Sequence, residues 1–224
     1  MPGFFITFEG GEGSGKTTQL KALLAHVRTL QGDAVQTHDP GGTAIGNQVR
    51  ELLLHGDNVR MSALAELFLY EASRAQLVQE VIRPALTAGR IVLCDRFTDS
   101  SVAYQGYGRG LDLDLVDRLN AVATGGLRPD LTFLLDLDPV VGLARAARRL
   151  AQPSQRRDRL EDERLEFHQR VQAGYRTLAA REPDRVVILD ATQGIVELGA
   201  RIRGYVDRRL RAAENGRATE SRAR

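Results

Sequence analysis

Between the apolar run Phe4-Phe5-Ile6-Thr7-Phe8 and the helical pattern Gln19-Leu20-Lys21-Ala22-Leu23-Leu24 lies Gly10-Gly11-Glu12-Gly13-Ser14-Gly15-Lys16-Thr17-Thr18. The first run reads as a buried strand, so the glycine loop joins a strand to a helix. Its spacing matches the nucleoside-triphosphate P-loop, and each residue type has a physical task. Glycines lack Cβ atoms, so successive backbone N–H groups can curl around phosphate oxygens. The helix that follows aims its free N–H groups and the positive end of its dipole at the same anion. Lys16 supplies an ammonium for the β- and γ-phosphates, and the Thr17 hydroxyl is placed to ligate Mg²⁺. A flexible glycine turn is the alternative, but it leaves the coincidence of strand, lysine, hydroxyl and helix without a cause.

Strand-length apolar runs then alternate with helical patterns. Ala34–His38, Ile91–Asp95, Leu131–Asp136 and Val186–Asp190 read as strands. Helices are expected at Ile45 to about His55, across Ser62–Ala88 with Ser62 as N-cap and a kink or division at Pro84, and at Leu113–Thr124, Val140–Leu150, Glu161–Arg181 and Ile195–Ala213. This alternation predicts an α/β fold, a parallel sheet covered on both faces, with every loop that follows a strand on one edge. The P-loop, Asp39-Pro40, Asp95-Arg96, Asp136 and Asp190 therefore gather at one rim. Residues 1–213 are expected to form one domain, and Glu214–Arg224, polar and charged with little to bury, a disordered tail.

Charge narrows the partners. With 31 basic and 29 acidic residues the net charge is +2, which gives no reason to expect a nucleic-acid polymer. Cys94 is the single cysteine, so no intrachain disulfide is available, and its place in Ile91-Val92-Leu93-Cys94 predicts packing rather than thiol chemistry. No apolar run approaches membrane-spanning length and the first residues do not resemble a signal peptide, so a cytoplasmic protein is expected.

Asp95-Arg96 carries weight because it ends an apolar strand at the P-loop rim. The carboxylate can hold Mg²⁺ through water, and the guanidinium can fork onto phosphate oxygens; a strand-end salt bridge is the alternative. Asp136 and Asp138 serve the rim or cap the helix that starts at Pro139.

Together with Phe8 to Thr18, the segments Pro40-Gly41-Gly42-Thr43, Asp95-Arg96-Phe97-Thr98-Asp99-Ser100-Ser101-Val102-Ala103-Tyr104-Gln105-Gly106 and Asp158-Arg159-Leu160-Glu161 resemble bacterial thymidylate kinases. The resemblance runs from Phe4 to Ala213, with these motifs in order. It implies a three-layer P-loop kinase fold with five parallel strands and a mobile lid at about residues 145–160. It also implies a homodimer and phosphoryl transfer from Mg·ATP to thymidine 5′-monophosphate (dTMP) on the way to dTTP.

Residue by residue, the resemblance gives Gly10–Thr18 to ATP and Thr17 and Asp95 to the metal. Lys16, Asp95 and Arg96 become catalytic, with Arg149 and Arg159 as lid candidates. Phe68 resembles the platform on which thymine stacks, and Arg74 the group that hydrogen-bonds the base. Ser101 and Gln105 resemble base-pocket residues, Tyr104 the tyrosine crowding the sugar 2′ position, and Glu12 the P-loop acid at the 3′-hydroxyl. His38-Asp39 stands where the family commonly has Arg-Glu, so Arg50 on the next helix is a substitute phosphate ligand beside Asp39. The lid is arginine-rich, with Arg145, Arg148, Arg149, Arg156, Arg157 and Arg159 around Pro153; a solvated basic helix end is the alternative. Another nucleoside or nucleotide kinase of the same fold, or a P-loop regulatory NTPase, remains the competing function.

Overall fold

The P-loop strand β1 (Phe4–Glu9) is hydrogen-bonded on both sides, to β3 (Ile91–Asp95) and β4 (Leu131–Asp136), because it carries almost nothing that needs water: Phe5, Ile6, Phe8 and even Thr7 and Glu9 are fully buried. A computed structural model describes residues 3–31, 33–54, 60–150 and 159–222. Outside β3 lies β2 (Ala34–His38) and outside β4 lies β5 (Val186–Asp190), all pairs parallel, in the order β2-β3-β1-β4-β5. The expected five-stranded parallel sheet is therefore present.

Alternation along β1 sends its side chains to two cores. Ile6 and Phe8 pack with Leu20, Leu23 and Val27 of α1 (Lys16–Gln31) and with Leu198 and Ile202 of α9 (Ile195–Arg222). Phe5 points to the other face, where Leu77 of α3 (Ala63–Leu77), Val78, Ile82 and Ala85 of α4 (Arg83–Thr87) cover it. Two covered faces demand crossover helices, and these put the strand C-termini on one edge. In the register, Asp95 lies beside both Phe8 and His38, and Asp136 beside Asp190. The sheet order reverses direction at β1, the position at which open α/β sheets bind ligands.

The remaining helices are α2 (Ala44–Leu54), α5 (Thr98–Ser101), α6 (Leu113–Thr124), α7 (Pro139–Leu150) and α8 (Leu165–Arg181). Ser62 caps α3 as expected, accepting the Ala65 N–H at 3.2 Å. The break expected at Pro84 is a π-helical turn, Val78–Ile82, in which Arg83 N–H reaches back five residues to Val78 O. Widening one turn accommodates a residue that lacks an N–H and whose ring crowds the preceding turn. A second π-helical stretch, Val102–Gly108, continues α5 and carries Tyr104 and Gln105.

Two boundaries differ from the sequence expectation. The helix anticipated from Glu161 begins at Leu165, since Arg164 is extended at its N-cap, and a separate 3₁₀ turn spans Arg159–Asp162. The last helix runs on to Arg222 rather than stopping at Ala213; Ala212, Ala213, Glu214 and Arg217 favour helix, and Gly216 alone does not end it. Of the expected lid, Arg156, Arg157 and Asp158 lie outside the described residues, as does His55 at the end expected for α2.

Candidate active site

The loop after β1 is tight because two backbone segments meet there. A Cβ on Gly13, whose φ is +66°, would lie 2.2 Å from Gly142 O, and one on Gly142 would lie 2.4 Å from Glu12 O. Glycine is needed on both sides, so the loop apex sits directly on the first turns of α7. Gly142 carries no signal in the sequence, because only the fold brings it here.

Inside the loop the Lys16 ammonium donates to Gly10 O at 3.0 Å, Gly11 O at 2.9 Å and Ser14 Oγ at 3.4 Å. Burial, aided by the nearby Arg96 cation, lowers Lys16 to about 8, so it stays largely charged at neutral pH. Thr17 Oγ1 donates to Asp95 Oδ2 at 2.7 Å, joining the start of α1 to the end of β3. Thr18 borders the same cavity.

Arg96 leaves β3 with φ +70°, a conformation that costs an arginine about 1–3 kcal/mol and persists only when neighbours impose it. Its N–H donates to Phe8 O at 2.9 Å, the Cys94 thiol donates to Arg96 O at 3.0 Å, and the following Phe97 N–H donates to Glu9 Oε1 at 2.7 Å. Cys94 is buried, with its thiol pushed well up by burial, in keeping with a packing role. The guanidinium spreads over several acceptors: Nη1 reaches Gly10 O at 3.1 Å and Tyr175 OH at 3.2 Å, and Nη2 reaches Glu12 Oε1 at 2.7 Å and Tyr104 OH at 3.1 Å. Tyr104 OH also donates to Glu12 Oε1 at 2.9 Å. Burial alone would raise Glu12, but Arg96, Lys16 and the Tyr104 hydrogen bond outweigh it and hold the carboxyl at about 2.

Beneath this group lies Glu9, fully buried, accepting also from Ser100 Oγ at 2.6 Å and Tyr175 OH at 2.8 Å. Burial, reinforced by the charge of Asp99, pushes its carboxyl up to about 7. Sequence reading passed over Glu9 because a strand-end glutamate looks like an ordinary polar terminus.

The far wall is built around Arg74, itself 1 % exposed. Nε donates to Asp39 Oδ2 at 2.6 Å, Nη1 to Glu71 Oε1 at 2.7 Å and Asn120 Oδ1 at 2.6 Å, and Nη2 to Ser101 Oγ at 2.9 Å. Two carboxylates share one guanidinium, so burial raises both Asp39 and Glu71 although Arg74 pulls against it. Asp39 is thus a partner of Arg74 first. Burial also lowers His38, which leaves it neutral at pH 7 and no substitute for an arginine. Arg50 donates to Pro40 O at 2.9 Å and borders the cavity.

Several of these groups line one cavity of about 1020 Å³. The P-loop from Glu12 to Thr18, Asp95 and Arg96 form one part of its wall, and Asp39, Arg74, Ser101, Tyr104 and Gln105 another. Its volume lies at the upper end of the range for small-molecule sites, as room for two substrates would require.

Two expected residues fall elsewhere. Phe68 is 52 % exposed and away from this cavity; the aromatic that α3 places on the wall is Tyr70. Counted along α3, Tyr70 is one turn from Arg74, about 40° around the axis, whereas six residues place Phe68 about 120° away. Arg159 is buried, donating Nε to Leu53 O at 3.2 Å and pairing through Nη2 with Glu66 Oε2, so it does not border the cavity. The Arg149 side chain lies outside the described residues, whereas Arg145 is exposed on the cavity wall beside Gly13 and donates to Ala191 O at 3.1 Å.

A phosphate loop on the central strand, facing a second, aromatic and polar recess across one cavity, defines a P-loop kinase of small phosphorylated substrates. The family model described as thymidylate kinase matches residues 8–202. The thymidylate kinase of Synechococcus sp. (strain JA-2-3B'a(2-13)) is 55 % identical over 213 residues, covering 95 % of this chain and 98 % of that protein. The thymidylate kinase of Deinococcus radiodurans is 54 % identical over 207 residues, covering 92 % of this chain and 98 % of its own length. The crystal structure of thymidylate kinase from Ehrlichia chaffeensis superposes with a TM-score of 0.75 at 32 % identity, covering 92 % of this chain and 99 % of that one. The chain belongs to the thymidylate kinase family, whose members are ATP-using kinases.

Proposed function

We propose that the chain transfers the γ-phosphoryl group of ATP to the phosphate of dTMP, giving ADP and thymidine 5′-diphosphate. A dTMP phosphate oxygen forms the new bond to phosphorus as the bond to the β–γ bridging oxygen breaks. The acceptor is already ionised, so no base is needed. The carrying observation is Arg96, which bonds at once to the P-loop through Gly10 and Glu12 and to the opposite wall through Tyr104. It stands where two phosphates would meet and stabilises charge on the transferring group together with Lys16.

Thr17 and Asp95 fit Mg²⁺. They offer two adjacent hard oxygens, and among the described residues no group of three His, Cys, Asp or Glu side chains gathers, as suits an ion held by few protein ligands, phosphates and water. When bound, Mg²⁺ neutralises charge on the β- and γ-phosphates. Tyr70 supplies the stacking face for the base, Arg74, Ser101 and Gln105 the polar edge, and Tyr104 with Glu12 meets the sugar. Among the lid arginines, Arg145 covers the ATP side, Arg149 remains the candidate for transition-state charge, and Arg159 anchors the segment to Glu66.

A homodimer is supported by an apolar face. Ile45 and Leu52 on α2, and Leu64 and Phe68 on α3, are more than two-fifths exposed and share their faces by helical spacing. A cytoplasmic setting accords with the single buried thiol, and no helix among the described residues is long and apolar enough to cross a membrane.

The test is ADP release by the purified protein with Mg·ATP and a panel of nucleoside monophosphates. Turnover should depend on dTMP; preference for a purine monophosphate would assign another kinase specificity to the site.

A further inference from the structure

Glu66 lies in the first turn of α3, fully buried, and its one role above is as the anchor of Arg159. Its oxygens receive four donors. Oε1 accepts Gln105 Nε2 at 2.9 Å and Arg109 Nε at 3.1 Å, while Oε2 accepts Arg109 Nη2 at 3.0 Å and Arg159 Nη2. Flanked by two guanidinium groups, Glu66 is an ionised carboxylate and can only accept hydrogen bonds.

That has a consequence for Gln105, whose amide donates at one end and accepts at the other. Facing an acceptor-only partner, it must turn its NH₂ group to Glu66, which commits Oε1 to the opposite direction. Gln105 borders the cavity beside Arg74 and Ser101, and among the described residues no donor reaches Oε1. The base recess therefore presents a fixed acceptor. Thymine and uracil carry a donor, N3–H, between their two carbonyls, whereas cytosine carries a lone pair at N3 and would meet Oε1 with repulsion.

We propose that Glu66 is a positioning residue for base selection, locking the Gln105 amide so that its oxygen faces the cavity and the site takes pyrimidines bearing N3–H while rejecting those with a lone pair there. This rests on the recess holding a pyrimidine, as the dTMP reading requires. A mobile amide would flip to suit either base. Sites built to hydrogen-bond a substrate discriminate by as much as about 10⁴ to 10⁵ when the wrong partner leaves a polar group unpaired.

The test compares dTMP with 5-methyl-deoxycytidine monophosphate, which differs only at the C4 substituent and N3. In Glu66→Gln the residue gains a donor and can itself flip, so the ratio of kcat/KM for the two substrates should fall at least tenfold, mainly through KM. Arg109→Met removes a comparable ion pair while keeping the Gln105–Glu66 bond, and should retain the wild-type ratio. In a Gln105→Met background, Glu66→Gln should change the ratio no further, since Glu66 acts through Gln105. An unchanged ratio in Glu66→Gln, or an equal fall in Arg109→Met, overturns the proposal. Should Glu66→Gln fail to fold, the wild-type protein decides: the Gln105 side-chain amide protons, identified by their loss in Gln105→Met, should be protected from solvent exchange, and rapid exchange overturns the lock. Failure of the dTMP reading is distinct, for the wild-type protein would then not prefer dTMP at all.

Discussion

Arg96 Nη2 donates to Glu12 Oε1 at 2.7 Å, which ties a residue in left-handed conformation at the end of β3 to the P-loop of β1. The pair is mostly shielded from water, so it fixes the guanidinium where the charge of the transferring group develops. A lysine keeps the charge but cannot fork to Glu12 and Gly10 together. Arg96→Lys should lower kcat at least tenfold, about 1.4 kcal/mol of barrier, with a smaller change in KM for either nucleotide. Steady-state kinetics with both substrates varied checks this, and a kcat near wild type would reduce Arg96 to a structural tie.

Glu9 predicts a pH dependence of stability. Its carboxyl is raised from an ordinary 4.5 to about 7 by burial and by Asp99, so between these values the folded chain holds a proton that the unfolded chain has released. Stability should therefore decline as pH rises through this window, by up to about 3 kcal/mol from this group, and then level off. Below the window Glu12 acts in the opposite sense, since its depressed carboxyl stabilises the fold only while ionised. Denaturant unfolding at pH 5 and pH 8 measures the slope, and Glu9→Gln should flatten it. An unaltered slope in Glu9→Gln would place the titration elsewhere.

On α3 the two aromatics should separate. Tyr70→Ala should raise the KM for dTMP by about fivefold or more, on the order of 1 kcal/mol of lost stacking. Phe68→Ala should leave that KM alone, while Phe68→Glu should shift the protein toward monomer in sedimentation. If Phe68→Ala instead raised the KM and Tyr70→Ala did not, the recess would have been assigned to the wrong face of the helix.

Much of this was legible in the sequence. Strand and helix periods gave the β/α alternation, and the glycines with Lys16 and Thr17 placed the phosphate loop at the end of the central strand. Asp95-Arg96 was found because it follows an apolar run. The misplacement of Phe68 has a physical cause: Leu67-Phe68-Leu69-Tyr70 is apolar through a full turn, so only packing reveals which aromatic faces inward. Arg159 was given a role by its motif, but a buried carboxylate 93 residues away claims it. Glu66 itself reads as a first-turn helix acid, and Gly142 as an ordinary helical glycine. Their contacts are tertiary and leave no local pattern.

Metal dependence gives a further check. Asp95→Asn keeps the size of the side chain and its hydrogen bond to Thr17 but removes the charge that would attract Mg²⁺. The Mg²⁺ concentration for half-maximal rate should rise several-fold, and kcat should fall. Identical Mg²⁺ titrations for both proteins would leave Asp95 only the task of orienting Thr17.

Lys16 is the group on which phosphoryl transfer from the P-loop depends most directly. Its ammonium already lies among the loop carbonyls Gly10 and Gly11, and no other side-chain cation belongs to the loop itself. Removing it should cost several kcal/mol in the transition state, a hundredfold or more in rate. The decisive measurement is ³¹P NMR of products from Mg·ATP and dTMP with wild-type and Lys16→Ala proteins of matched fold, judged by circular dichroism. Thymidine diphosphate and ADP should accumulate in equal amounts with the wild type and at least a hundredfold more slowly with Lys16→Ala; free phosphate as the main product, or equal rates from both proteins, would contradict transfer at this site.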